Sequence, residues 1–298
     1  MVPISGFPAS KTFNPHGLSF SNQTQRVYAV NHDCGTHVYE GIEIFRLVRG
    51  PSSLKLVYER SITSASFPLG AMNDVVEGAY LGELYVTQWL AGSIPEQCAG
   101  HESFVDALKV KINALFRRMS KVHRCVWDTE KPEDAARCSV VAEGFKGANG
   151  IASDPDKKQL FVIDAPDKAM HVFDRTQDGS LHLKHILQLP YLGDNVEFDA
   201  DAGKLTMAGS PLMHEVIKRL GGDASVEVSG GMITVQPLTN ASYIVQEILM
   251  HDGSLMSFVS SAVFFHGNIL LGSPPSDGVL VCPIPEHPIS SEVRSPSL

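Results

Sequence analysis

Histidine, asparagine and aspartate side chains recur in this sequence directly before short apolar runs. The pairs are His16-Gly17 before LSF, Asn73-Asp74 before VV, Asn149-Gly150 before IAS and Asp194-Asn195 before VEF, and Ser257 precedes FVSSAVFF. Units of this kind at intervals of several tens of residues are typical of β-propeller blades. Because the innermost strands of propeller blades begin near a shared axis, we expect these side chains to converge.

The converging residues would offer amide oxygens and one carboxylate, with no thiolate. Oxygen ligands of this kind suit a hard cation, and Ca²⁺ accepts six to eight of them. Mg²⁺ fits less well, because its small octahedral shell tolerates few oxygens fixed on separate strands. The alternative is that Asn-Gly and Asp-Asn are ordinary turn dipeptides, and each of them taken alone favours that interpretation.

His16 and His32 flank a segment that contains a hairpin turn, so the two rings are expected on adjacent antiparallel strands. An imidazole oriented by a second imidazole can act as a general base near neutral pH, since its ordinary pKa is about 6.5. A structural histidine with satisfied hydrogen bonds is the alternative.

The composition is that of a globular protein, with 43% hydrophobic and 19% charged residues. A net charge of −9 argues against a nucleic-acid partner, because phosphate binding needs clustered Lys and Arg. The five cysteines form no C-x-x-C pair, which argues against a zinc knuckle or a thioredoxin-like site. The first residues lack a basic segment followed by an apolar one, so the sequence as written predicts no signal peptide.

Most of the sequence consists of short runs of Val, Ile, Leu, Phe and Tyr between Gly, Pro, Asp and Asn, which predicts an all-β fold. Residues 101–119 instead show apolar side chains at helical spacing, and MHEVIKRL predicts a second, short helix. We expect one β-propeller domain over residues 1–298, with five recognisable blades. The segment 283–298, rich in Pro and Ser, is expected to be a disordered tail.

Several segments together resemble the paraoxonase/arylesterase family of six-bladed β-propellers. They are NPHGLSF, VNH, NDVV, VVAEGFKGANGIASDPDKKQLFVIDA, MHVF, LGDNVEFDADAGKLTMAG and the closing NILLGS and VLVCPI. The resemblance covers nearly the whole sequence in order. It implies a calcium-dependent hydrolase of lactones and aryl esters that acts on small apolar substrates.

The resemblance also implies a role for individual residues. Asn73, Asn149, Asp194 and Asn195 would bind a catalytic Ca²⁺, and Asp74 with the carbonyl of Leu18 would bind a structural one. His16 and His32 would form a histidine dyad in which His16 deprotonates the attacking water. The helix within 101–119 would be a lid that contacts lipid or membrane, or simply a helix packed on the rim. Family members of this kind are expected to be secreted.

The sequence departs from the family pattern at several places. A blade-length segment with a Glu-Asp pair, which supplies one ligand to each calcium, has no counterpart before His16. Cys282 matches one end of the family disulfide, but no cysteine precedes Cys34. Ser210 stands where the family has a further histidine, and Gln88-Trp89 replaces an Asn-Asp-His-like run.

These departures leave two other functions open. One is a propeller that catalyses a pericyclic or synthase step of a natural-product pathway in a shaped apolar cavity, which Ser210 and Trp89 favour. The other is a non-catalytic or truncated relative with an incomplete ring of blades.

Overall fold

A computed structural model of the protein describes residues 2–33, 39–51, 53–93, 117–131, 135–239, 242–286 and 288–294. Short antiparallel strands form almost all of the regular structure, as expected for β-branched and aromatic runs that turn residues interrupt. The strands form five separate sheets, and these are the blades of a β-propeller. The predicted all-β propeller with five recognisable blades is confirmed.

The described residues divide into two compact units, and the predicted single domain over 1–298 stays a prediction. The first unit runs to Ala148 and includes Asp178–Ser180. It contains two sheets. The strands of the first sheet, in spatial order, are β1 (Ile4–Ser5), β5 (Leu54–Thr63), β4 (Tyr39–Arg49), β3 (Arg26–Asp33) and β2 (Pro15–Ser21). Those of the second are β6 (Met72–Glu77), β7 (Glu83–Gln88), β8 (Ser120–Val126) and β9 (Arg137–Phe145).

The second unit begins at Asn149 and contains three sheets. The third sheet is formed by β10 (Ala148–Ser153), β11 (Gln159–Asp164), β12 (Ala169–Arg175) and β13 (Leu181–Gln188). The fourth is formed by β14 (Leu192–Asp199), β15 (Lys204–Ser210), β16 (Gly230–Thr239), β17 (Ser242–His251) and β21 (Ile289–Arg294). The fifth has β18 (Ser261–Phe265), β19 (Asn268–Gly272) and β20 (Leu280–Pro283).

Part of the segment expected to be disordered is a strand. β21 pairs antiparallel with β17, from Ile289 opposite Glu247 to Arg294 opposite Ser242. The Pro and Ser content on which the expectation rested does not exclude an outer strand, since Pro285 and Pro288 precede β21 and leave its ladder intact.

Alternating apolar side chains supply the core of each unit. In the first unit, Tyr28 and Val30 of β3 and Ile42 and Ile44 of β4 pack with Val86 and other residues of the second sheet. The second unit has two clusters, one around Phe161, Ile163 and Val196 and one around Met232, Ile269 and Leu271. Burial of these side chains is the main stabilising contribution, at roughly 25 cal/mol per Å² of apolar surface.

The short helix predicted at MHEVIKRL is confirmed as α1 (Met213–Leu220). The longer predicted helix, 101–119, lies almost wholly outside the described residues. Within the described residues, no helix has the length and hydropathy needed to cross a membrane. Cys125 of β8 and Cys138 of β9 form a disulfide between paired strands, which the cysteine spacing did not predict. Cys282 is a free thiol, and Cys34 and Cys98 are outside the described residues.

Candidate functional site

The predicted site residues fall in both units. His16, Leu18, His32, Asn73 and Asp74 are in the first unit. Asn149, Asp194 and Asn195 are in the second.

Three of the polar pairs lie at irregularities of their strands. The register shifts between Pro15 and Leu18 in β2, between Met72 and Val75 in β6, and between Gly193 and Val196 in β14. A bulge releases residues from the ladder and re-aims their side chains. The pairs His16-Gly17, Asn73-Asp74 and Asp194-Asn195 are therefore turned away from ordinary cross-strand positions.

Two glycines bring the site residues close to the next strand. A Cβ on Gly17 would meet the backbone of Asn73 and Asp74, so only glycine lets β2 approach β6 at this point. A Cβ on Gly150 would likewise meet the backbone of Asp194 and Asn195. His16 therefore lies beside Asn73 in the first unit, and Asn149 lies beside Asp194 in the second.

The segment before His16 is fastened to the end of β3. The side-chain oxygen of Asn31 accepts a hydrogen bond from the amide of Asn14 at 2.7 Å, and its Nδ2 donates to the carbonyl of Thr12 at 3.0 Å. The amide of His32 donates to the carbonyl of Asn14 at 3.1 Å. Asn31 is fully buried, so these bonds fix where Pro15 and His16 begin β2.

The two histidines predicted to touch do so. His16 Nδ1 lies 2.9 Å from His32 Nε2. His32 Nδ1 in turn lies 2.9 Å from Glu40 Oε2, and both His32 and Glu40 are buried. We call the series Glu40, His32 and His16 the histidine relay.

The carboxylate of Glu40 is held by the backbone of a distant loop. Its Oε2 accepts from the amide of Gly70 at 2.8 Å, and its Oε1 accepts from the amide of Met72 at 2.9 Å. Two N–H donors stabilise the ionised carboxylate, which then accepts the Nδ1–H of His32. Glu40 thus sets the orientation of His32.

Sequence reasoning missed Glu40. The feature that brings Glu40 to His32 is the register of the β3–β4 hairpin, in which the two residues are directly opposite each other. Residues 34–38 of that hairpin are outside the described residues, and the number of residues in a connection does not by itself give the register. A search for carboxylates on the strand that follows His32 would have found it.

The relay fixes the tautomers of both rings. Since Glu40 accepts the proton of His32 Nδ1, His32 Nε2 is an acceptor and His16 Nδ1 is its donor. His16 Nε2 therefore carries a lone pair, which accepts a long hydrogen bond from Asn73 Nδ2 at 3.5 Å. Burial, with the neighbouring His32 as the second cause, lowers the pKa of His16 from 6.5 to about 4. His16 as a residue is nonetheless exposed, so water can reach it.

Asn73 has the property expected of a cation ligand. Its Oδ1 is buried and accepts no hydrogen bond from any described residue. A buried amide oxygen without a donor is costly, and a bound hard cation would remove that cost. Its neighbour Asp74 is also buried, and Asp74 Oδ1 accepts from the amide of Val75 at 2.9 Å. Asn73 therefore fits a calcium ligand.

The second unit brings Asn149, Asp194 and Asn195 together at the starts of β10 and β14. All three are partly buried, and the backbone N–H of Asn195 donates to the carbonyl of Ser260 at 3.1 Å. Among the described residues, no three His, Cys, Asp or Glu side chains gather as a metal-binding group. The predicted ligand set is of another kind, because it contains one carboxylate and three amides.

The residues that depart from the family pattern have separate positions. Gln88 does not reach the relay and instead accepts from His123 Nε2 at 2.9 Å. Trp89 does lie beside it, with its ring centroid 6.4 Å from that of His16. Ser210 ends β15 opposite Leu192, two residues before Asp194. Ser257 Oγ accepts from the amide of Val228, which is a structural contact.

The family model for arylesterases matches residues 132–282, half of the chain. The chain belongs to the arylesterase family. It is 26% identical over 275 residues to the human protein named serum paraoxonase/lactonase 3, and the alignment covers 91% of this chain and 69% of that one. With the chicken (Gallus gallus) serum paraoxonase/arylesterase 2 it shares 24% identity over 265 residues, 88% of this chain and 66% of the relative.

One solved structure agrees with the fold of this arylesterase-family chain. The periplasmic gluconolactonase of Pseudomonas aeruginosa superposes with a TM-score of 0.50 over 96% of this chain and 90% of its own, at 10% identity. At that identity the likeness concerns the fold alone.

Proposed function

We propose that the protein is a calcium-dependent hydrolase of lactones and aryl esters in which His16 activates water. The observation that supports this most directly is the histidine relay, which makes Nε2 of the exposed residue His16 the acceptor nitrogen of its ring. The names of the paraoxonase relatives support the substrate class.

The relay moves the proton of the attacking water. As the water oxygen bonds to the carbonyl carbon, its proton passes to His16 Nε2, and the resulting imidazolium donates through Nδ1 to His32. When the bond between the acyl carbon and the alkoxy oxygen breaks, the proton on Nε2 passes to that oxygen. Ester and water thus give acid and alcohol, and His16 returns to its neutral form.

Glu40 acts through His32. Its carboxylate holds His32 in the tautomer that accepts from His16, and its negative charge offsets the positive charge that develops along the relay. Because the Gly70 and Met72 amides already hold Glu40, this arrangement needs no rearrangement during the reaction.

Ca²⁺ would supply polarisation of the carbonyl bond when bound. The ligands that the family resemblance implies are Asn73, Asn149, Asp194 and Asn195, and the buried Oδ1 of Asn73 supports the first of them. Asp74 and the carbonyl of Leu18 are proposed for a second, structural Ca²⁺. Contact of segment 101–119 with lipid stays a prediction.

The test is hydrolysis of phenyl acetate, δ-valerolactone and a long-chain lactone, with Ca²⁺ and with a chelator. We expect turnover that the chelator abolishes. His16→Gln should lower kcat by about 10²–10⁴-fold, the usual contribution of a general base, without lowering the unfolding temperature. His123→Gln is the matched control, because His123 is a buried histidine outside the relay. A wild-type protein that hydrolyses none of the three substrates with Ca²⁺ present would contradict the proposal and favour a pericyclase-type or non-catalytic role.

A further inference from the structure

Trp89 is the aromatic side chain next to the proposed base. It follows β7 directly, its amide donates to the carbonyl of Ala71 at 2.9 Å, and its ring packs on Ala71 and Leu90. The indole meets the His16 ring edge-on, with an interplanar angle of 75°. The backbone and these contacts fix the indole beside His16.

The indole N–H of Trp89 has no hydrogen-bond acceptor. Nε1 is buried and finds no partner among the described residues. Buried tryptophans usually place this N–H on an acceptor, and a buried donor without one destabilises the folded protein. A phenylalanine would pack on Ala71 and Leu90 without that cost, so packing alone does not explain a tryptophan here.

A second unsatisfied polar atom belongs to Asn73, which also contacts His16. Asn73 Oδ1 accepts from no described residue, while the side-chain Nδ2 of Asn73 contacts His16 Nε2. The surroundings of His16 thus contain an acceptor that suits a cation and a neutral donor that suits an oxygen atom. Both would be satisfied together in the complex with cation and substrate.

We propose that Trp89 Nε1–H donates a hydrogen bond to the carbonyl oxygen of the bound ester or lactone, an inference that rests on the proposed function. The indole N–H is a neutral donor with no acceptor capacity, which matches a neutral carbonyl oxygen. Trp89 as a residue is only partly buried, so a ligand beside His16 can approach the indole. The bond strengthens as negative charge develops on the oxygen, which makes Trp89 part of the oxyanion-stabilising group.

The first experiment tests the hydrogen bond from the Trp89 indole N–H by fluorescence, without catalytic turnover. The chain has two tryptophans, so Trp127→Phe leaves Trp89 as the only indole fluorophore. The probe is δ-valerolactam, a cyclic amide with the ring size of the lactone and a stronger carbonyl acceptor. A saturable red shift of the Trp89 emission, absent with N-acetyltryptophanamide free in solution, supports the proposal. No shift up to the solubility limit of the lactam overturns it.

The second experiment separates a substrate contact from packing. Trp89→Phe should lower kcat/KM for δ-valerolactone by about 10–10³-fold, as loss of one oxyanion donor does, and leave the unfolding temperature unchanged or higher. Trp127→Phe is the matched control, because Trp127 is buried under Arg60 and its amide bonds to Gly82. It should keep the wild-type kcat/KM.

Equal kcat/KM for Trp89→Phe and wild type would overturn the inference. So would a loss of activity that only parallels a loss of unfolding temperature. If the wild-type protein hydrolyses none of the three substrates, the proposed function fails. The lactam titration alone then tests whether Trp89 donates a hydrogen bond to a bound carbonyl oxygen.

Discussion

Two histidines among the described residues of the first unit are buried, and they have different hydrogen-bond partners. His32 donates from Nδ1 to the carboxylate of Glu40, whereas His123 donates from Nε2 to the side-chain amide of Gln88. Both are less than a tenth exposed. The comparison isolates what a carboxylate does to a buried imidazole.

The surroundings of His123 keep it neutral. Gln88 Nε2 donates to the carbonyl of Leu90 at 2.6 Å, which fixes its amide with Oε1 towards His123. The Nδ1 atom of His123 has no partner among the described residues, and the edge of Phe67 packs against the ring. Burial, followed by the nearby charge of Lys121, lowers the pKa of His123 from 6.5 to about 4.

Both histidines are buried, and what differs between them is the charge of the hydrogen-bond partner. His32 donates from Nδ1 to the Glu40 carboxylate and accepts at Nε2 from His16, so a negative charge lies at the end of the relay. His123 donates to the neutral amide of Gln88, and its Nδ1 has no partner among the described residues. Protonation of His123 would therefore bury an uncompensated charge. We therefore expect the charge of the hydrogen-bond partner to decide whether a buried histidine can carry a proton.

The largest expected effect comes from giving His32 a neutral amide partner like the one that His123 has. Glu40→Gln should lower kcat by roughly 10²–10⁴-fold, because His32 loses the charge that fixes its tautomer and offsets the imidazolium. The measurement is kcat for δ-valerolactone together with the unfolding temperature. Glu77→Gln is the control, since Glu77 is a buried carboxylate that accepts from Tyr28 away from the relay. Unchanged kcat in Glu40→Gln would show that Glu40 is structural only.

The next effect is on stability in acid. The folded pKa of His123, about 4, lies below the unfolded value of 6.5, so the unfolded chain binds the proton first as the pH falls. The contribution is present in full above pH 6.5 and is lost by pH 4, an expected decrease of about 3 kcal/mol in the free energy of unfolding at 1.36 kcal/mol per pKa unit.

Urea unfolding at several pH values measures this slope, and His123→Gln is the comparison because it removes one titrating group and keeps a polar side chain. The difference between the two proteins isolates His123 from the other histidines. Parallel pH profiles for wild type and variant would mean that His123 is not the neutral buried group described here.

The smallest effect comes from the reverse substitution. Gln88→Glu places a carboxylate on His123 Nε2 and should raise the pKa of His123 by about 1–3 units, as an opposite charge at contact distance does. The variant should also lose stability, because a carboxylate cannot donate to the carbonyl of Leu90 as Gln88 does. NMR titration of the imidazole protons measures the pKa. A pKa that stays near 4 would show that burial outweighs the carboxylate.

The sequence by itself determined the class of the fold and the two histidines that contact each other. Short β-branched runs between turn residues specify strands, since both preferences are local. His16 between Pro15 and Gly17, and Asn73 before an apolar pair, are visible in the sequence because bulged starts of inner strands need small and polar residues there. The contact of His16 with His32 followed from one hairpin.

Only the tertiary structure decided the partners. Glu40 meets His32 through the β3–β4 register and meets the amides of Gly70 and Met72 through the packing of the first sheet on the second. The Cys125–Cys138 disulfide and the Gln88–His123 bond likewise depend on which residues face each other across strands. Strand propensity is set by neighbours along the chain, but register and sheet packing are set by the summed burial of many side chains. For that reason the sequence located the histidines, and the fold determined which hydrogen-bond partner each of them has.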